Sequence, residues 1–118
     1  MHEMSLAGGI LRLVEEAAAR EAFQRVSCLR LEAGALAGVE PQALRFALEA
    51  LQPGTLLDGA RIEIDEAPGT AWCRRCGTPV TIESRADPCP QCGGGPLVPT
   101  GGTELIVREL IVLDRAQP

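Results

Sequence analysis

Four cysteines stand in two like frames, Cys73-Arg74-Arg75-Cys76-Gly77 and Cys89-Pro90-Gln91-Cys92-Gly93, with twelve residues between Cys76 and Cys89. One C-x-x-C turn aims two thiolates at a common point. Two such turns facing each other complete a tetrahedron with sulfur about 2.3 Å from a zinc ion. The glycine after each second cysteine permits positive φ, so the chain can curl around the metal without a Cβ clash. All four positions are then protein thiolates, none is left for water or substrate, and a closed site of this kind holds structure. Two disulfides would suit a secreted chain, but nothing here resembles an export signal. A redox C-x-x-C pair opens a helix, whereas Pro and Gly accompany both pairs here. Structural zinc is the assignment, with iron chemically compatible with the same four sulfurs.

The chain has one histidine, at position 2. A terminal amine, the backbone amide nitrogens that follow and an imidazole can close small chelate rings around one metal. Nitrogen-rich planar sites of that kind suit Ni(II) or Cu(II). An amine and an imidazole are both nitrogen donors that bind metal in their neutral forms. The competing reading is a frayed tail with an incidental histidine.

These donors need a scaffold, and 118 residues suffice for one compact core plus a small metal-stapled module. Trp72, Phe23 and Phe46 are the only aromatics, so the core must be built from Leu, Ile, Val and Ala. Lysine is absent, and the net charge is −5 with a pI near 4.8, which removes the electrostatic footprint for nucleic acid. Arg74 and Arg75 read as solvated charges. No apolar run reaches the length of a membrane span. His2 and Glu3 stand where a signal peptide would carry positive residues, and a thiolate frame fits the cytoplasm.

Leu6, Ile10, Leu13, Val14, Ala17 and Ala18 recur at helical spacing and predict an amphipathic helix from about Ser5 to Phe23. Leu29, Leu31 and Ala33 alternate with Arg30 and Glu32 as in a half-buried strand, with Cys28 a small core or interface residue. Pro41 suits the first position of a second helix reaching about Leu51, with Leu44, Leu48 and Leu51 on one face and Glu40 at its start. Ile62 and Ile64 alternate with Arg61, Glu63 and Asp65 in a second strand. From Pro68 to Gly102, Gly, Pro and Cys dominate, and this stretch can hardly fold without its metal. Glu104 to Leu113 is a β-rich run suited to rejoin the sheet. Pro68-Gly69 and Pro99 to Gly102 read as hinges.

Met1-His2-Glu3-Met4-Ser5-Leu6 resembles the opening of the HypA family of nickel metallochaperones. Gly34-Ala35-Leu36-Ala37-Gly38-Val39-Glu40-Pro41, followed by Leu44 and Phe46, resembles that family's loop into its second helix. The double C-x-x-C frame follows at the matching place, and Gly102-Thr103-Glu104-Leu105 resembles the return into the last strand. The resemblance implies an α+β fold, two helices on a small three-stranded mixed sheet with an inserted four-cysteine zinc-ribbon-like module. Residues 1–69 plus 101–118 would form the nickel-binding domain and 70–100 the zinc module. It further implies nickel delivery for [NiFe]-hydrogenase maturation, with a HypB-type GTPase and the hydrogenase large-subunit precursor as partners. His2 carries over as nickel ligand, with the backbone nitrogens of His2 and Glu3 and the Met1 amine beside it. Cys73, Cys76, Cys89 and Cys92 carry over as zinc ligands. No enzyme activity is implied, since no P-loop or nucleophile elbow is present. A zinc-ribbon adaptor binding nucleic acid is the alternative function, and a homodimer is among the assemblies left open.

Overall fold

The computed structural model describes residues 2–113. Its elements in chain order are α1 (His2–Glu21), β1 (Arg25–Gly34), α2 (Pro41–Leu51), β2 (Arg61–Ala67), β3 (Gly69–Cys73), β4 (Thr78–Ile82), β5 (Val98–Gly101) and β6 (Leu105–Leu113). They form two three-stranded sheets, ordered β2-β1-β6 and β4-β3-β5, the first of them mixed. The expected α+β class, two helices with a small mixed sheet and a cysteine module, is what the chain adopts.

Two compact units divide the chain, one from Met1–Leu31, Glu40–Ile64 and Val107–Pro118, the other from Glu32–Val39 and Asp65–Ile106. In the first, helix α1 starts at His2, three residues earlier than its periodicity suggests, and stops at Glu21. Ala22 then takes φ 61, the left-handed turn with which helices commonly end. The buried face of α1 is Ala7, Ile10 and Val14, and Leu13, placed on that face by periodicity, is 56% exposed. Gly8 and Gly9 meet open space, so the helix carries their cost of about 1 kcal/mol each with no packing return.

Helix α2 has the expected bounds. Pro41 opens it and the Glu40 carboxylate caps it, accepting from the amides of Gln42 at 3.2 Å and Ala43 at 3.0 Å. Leu44, Ala47 and Leu48 form its buried face. Gln52 follows the helix and latches the next loop, its Nε2 donating to the carbonyls of Leu57 at 2.9 Å and Ala60 at 2.8 Å. The core is aliphatic, with Leu29, Leu31, Leu44, Leu48, Leu57, Val14 and Val26 fully buried and Cys28 among them at 3% exposure. Strand β1 begins at Arg25, earlier than its alternation shows, because Val26 and Cys28 are buried as well.

The second unit was legible as a metal module but its strands were not. In the sheet, β3 lies centrally and antiparallel to both neighbours, with Ala71 opposite Val80 and Pro99. Its core is one small cluster of Leu36, Ala71, Cys73, Val80, Ile82 and Cys89. Leu36 comes from outside the cysteine segment, and its backbone carries it there. The amides of Gly34, Ala35 and Leu36 donate to the carbonyls of Glu104 at 3.0 Å, Ala67 at 2.9 Å and Gly102 at 2.7 Å. The three passages are so close that a Cβ on Gly34 would lie 2.2 Å from Gly102 O. One on Gly102, at φ +69, would lie 2.2 Å from Pro68 O. Ala67, next to the Pro68-Gly69 stretch, and Gly102, at the end of the Pro99–Gly102 stretch, are thus each hydrogen-bonded to a third passage.

Leu36→Ala removes a fully enclosed side chain from a core that has few, and should destabilise the second unit by about 2–5 kcal/mol. Hydrogen exchange checks this: amide protection across β3 and β4 should fall, and unchanged protection would remove Leu36 from the core.

Candidate metal centre

The chain brings its four sulfurs together by two repeated turns. Gly77 N–H donates to Cys73 O at 2.7 Å and Gly93 N–H to Cys89 O at 2.8 Å. Both glycines take positive φ, 70 and 71, as the frames require. Cys73 ends β3, so the sheet fixes the first turn. The second turn is closed by Cys89 N–H donating to Gly94 O at 2.9 Å.

All four Sγ atoms lie within 4.8 Å of one another. Two contacts run between turns, Cys73 to Cys92 and Cys76 to Cys89, each at 3.8 Å. A tetrahedron with bonds of 2.3 Å has sulfur–sulfur edges of about 3.8 Å, so the set has the size of a four-thiolate metal cage. Amides point at three of the sulfurs. Cys76 N–H reaches Cys73 Sγ, Gln91 N–H reaches Cys89 Sγ and Gly94 N–H reaches Cys92 Sγ, each at 3.4 Å. The thiols are accordingly unequal. Donation from the Cys92 and Gln91 amides pulls the Cys89 thiol below its ordinary range. Contact with the Cys92 side chain and desolvation push Cys76 up. A cation that replaces the shared protons removes this competition, so binding releases protons.

The other residues singled out by sequence lie in the first turn of α1. The His2 side chain is exposed, and its Nδ1 is 3.8 Å from Glu3 Oε2. Glu3 has a second tie that sequence reasoning missed: its Oε2 accepts from the Glu40 amide at 3.2 Å. That bond, then the Glu3 amide, holds the Glu3 carboxyl below the ordinary carboxylate range. One side chain therefore links the start of α1 to the cap of α2. Met1, expected to offer its amine, lies outside the described residues. No helix among the described residues is long and apolar enough to cross a membrane.

A family model described as hydrogenase/urease nickel incorporation, metallochaperone, hypA, matches residues 1–112. The chain belongs to the HypA family. It is 61% identical over 114 residues to the hydrogenase maturation factor HypA of Polaromonas naphthalenivorans, covering 97% of this chain and 99% of that one. It is 58% identical over 118 residues to the HypA of Cupriavidus necator, covering 100% and 99%. In fold it matches the solution structure of the Ni metallochaperone HypA from Helicobacter pylori, with TM-score 0.68, 18% identity and coverage of 96% and 98%. HypA proteins are metallochaperones rather than catalytic enzymes, in agreement with a site whose four positions are all protein sulfur.

Cys73→Ser or Cys92→Ser should empty the cage and unfold the second unit, checked by elemental analysis and hydrogen exchange. Retained metal with normal protection would overturn the four-cysteine assignment. The Glu3 contact is complete above the ordinary glutamate range, and is lost as pH falls through the depressed folded value. The Glu40 amide resonance should therefore move with a midpoint below the ordinary glutamate range, and Glu3→Gln should abolish that step. A Glu40 amide indifferent to both would remove the link.

Proposed function

We propose that this HypA protein binds Ni(II) at its N-terminus and delivers it for [NiFe]-hydrogenase maturation, while zinc in the four-cysteine cage holds the second unit. Its partners are a HypB-type GTPase and the hydrogenase large-subunit precursor, in the cytoplasm. Residues 1–69 with 101–118 serve nickel, and 70–100 serve zinc.

The observation that carries the nickel assignment is the position of His2, an exposed imidazole in the opening turn of α1. First-turn amides have no intrahelical acceptor, so the backbone nitrogens of His2 and Glu3 are not committed to the helix. With the Met1 amine they offer nitrogen donors of the kind Ni(II) favours. The Glu3 side chain, held by Glu40, steadies the turn while its backbone takes part. With few donors at an exposed terminus the nickel is released readily, whereas four thiolates in a closed cage retain their ion. Nickel here is cargo. Zinc suits the cage because it takes four sulfurs tetrahedrally with no need of redox chemistry. The second unit carries three arginines against six carboxylates, which gives a nucleic-acid adaptor little to work with.

Nickel and zinc should be quantified on untagged protein, on His2→Ala and on a version extended at its N-terminus. Both changes should abolish specific nickel binding and leave zinc at full stoichiometry. Stoichiometric nickel retained by the extended chain would overturn the N-terminal site.

A further inference from the structure

Four thiolates around a divalent cation leave the cluster with two excess negative charges, and here they sit in a nearly closed interior. Cys89 is 1% exposed and Cys73 3%. Buried charge without compensation is costly, so the groups around a metal cage matter nearly as much as its ligands. The amides on Cys73, Cys89 and Cys92 supply dipoles, but no net charge.

Two cations lie in the first knuckle. Arg74 and Arg75 line a cavity of about 200 Å³ together with Cys73, Gly94, Gly95 and Pro96, and no carboxylate lines it. Arg75 reaches further than its place in the sequence suggests. Its Nη1 lies 3.5 Å and its Cδ 3.6 Å from the point where Gly94 would carry a Cβ. Cys92 Sγ lies 3.3 Å from that same point. The guanidinium of one knuckle thus reaches the Gly94 backbone of the other, where the Cys92 sulfur also lies. A side chain at Gly94 would touch both groups.

We propose that Arg75 is a positioning residue for the metal cage, compensating its charge at Cys92 and tying the first knuckle to the second. The proposal rests on the zinc reading of the four cysteines. Arg75 is not a ligand: it slows loss of the ion by placing a positive charge beside the cage's excess negative charge and by holding the two knuckles together. Arginine suits the place because its charge is permanent and its planar fork lies flat along backbone. Since Arg75 is exposed, its effect belongs at the lower end of what outer groups exert on a metal, and salt screens it. Such a residue fits a carrier that must hand on one metal while keeping another.

The test uses the full chain with its zinc. Zinc content is measured by elemental analysis for wild type, Arg75→Ala, Arg75→Lys and Gly94→Ala, and zinc transfer to an excess chromophoric chelator is timed at low and high salt. All four should hold one zinc. At low salt Arg75→Ala should release it on the order of 10-fold faster than wild type, with the difference shrinking at high salt. Arg75→Lys should fall between them, and Gly94→Ala, whose Cβ meets Arg75 only at ordinary contact distance, should release zinc more slowly than Arg75→Ala. Wild-type release rates from zinc-replete Arg75→Ala at low salt would overturn the role of Arg75 and leave the cage standing. Faster release by the same factor at both salt levels would overturn the electrostatic argument. Wild type without zinc would instead overturn the cage, and the proposal with it.

Discussion

Convergence of four sulfurs on one point is the constraint from which the second unit follows. The cluster at its centre has six buried members, and two of them, Cys73 and Cys89, are metal ligands. The apolar remainder is Leu36, Ala71, Val80 and Ile82, too little to offset the chain entropy of ordering the Asp65–Ile106 stretch. Binding energy at the sulfurs is therefore folding energy for three short strands. The turn glycines, the amides directed at sulfur and the close backbone passages are arrangements that a bound cation makes worthwhile.

The first unit rests on a different balance. Seven fully buried Leu and Val side chains form an aliphatic core that needs no metal. That core lets α1 run out to His2, whose exposed imidazole stands on the first turn of a helix packed farther along by Ala7, Ile10 and Val14. The Glu3–Glu40 bond adds a local restraint beside that imidazole. Under the proposed nickel role of His2, an exposed imidazole suits reversible binding, because the donor is presented without being enclosed. On that reading the two sites differ in enclosure as much as in ligand type.

Much of this was legible because it is local. Helix α2 could be bounded to the residue, since Pro41 and Pro53-Gly54 punctuate a short amphipathic run. The cage could be read because each C-x-x-C-G frame encodes its own turn. Strands β3 and β4 were missed because only Ala71 and Cys73, then Val80 and Ile82, alternate there, too short a pattern amid Gly and Pro. Leu13 was misplaced because helical periodicity marks a broad stripe, and the neighbours available decide which edge of it is covered.

By itself the sequence determined the four-cysteine cluster, the two helices, the strands that alternate and the family, all carried by spacing over a few residues. Tertiary structure alone decided that Leu36 completes the core around the cysteines, that Glu3 meets the Glu40 amide, and that Arg75 crosses to Gly94. Each joins residues far apart along the chain, or on separate turns. Short-range patterns record which face of an element is apolar, but not which distant group will arrive to meet it.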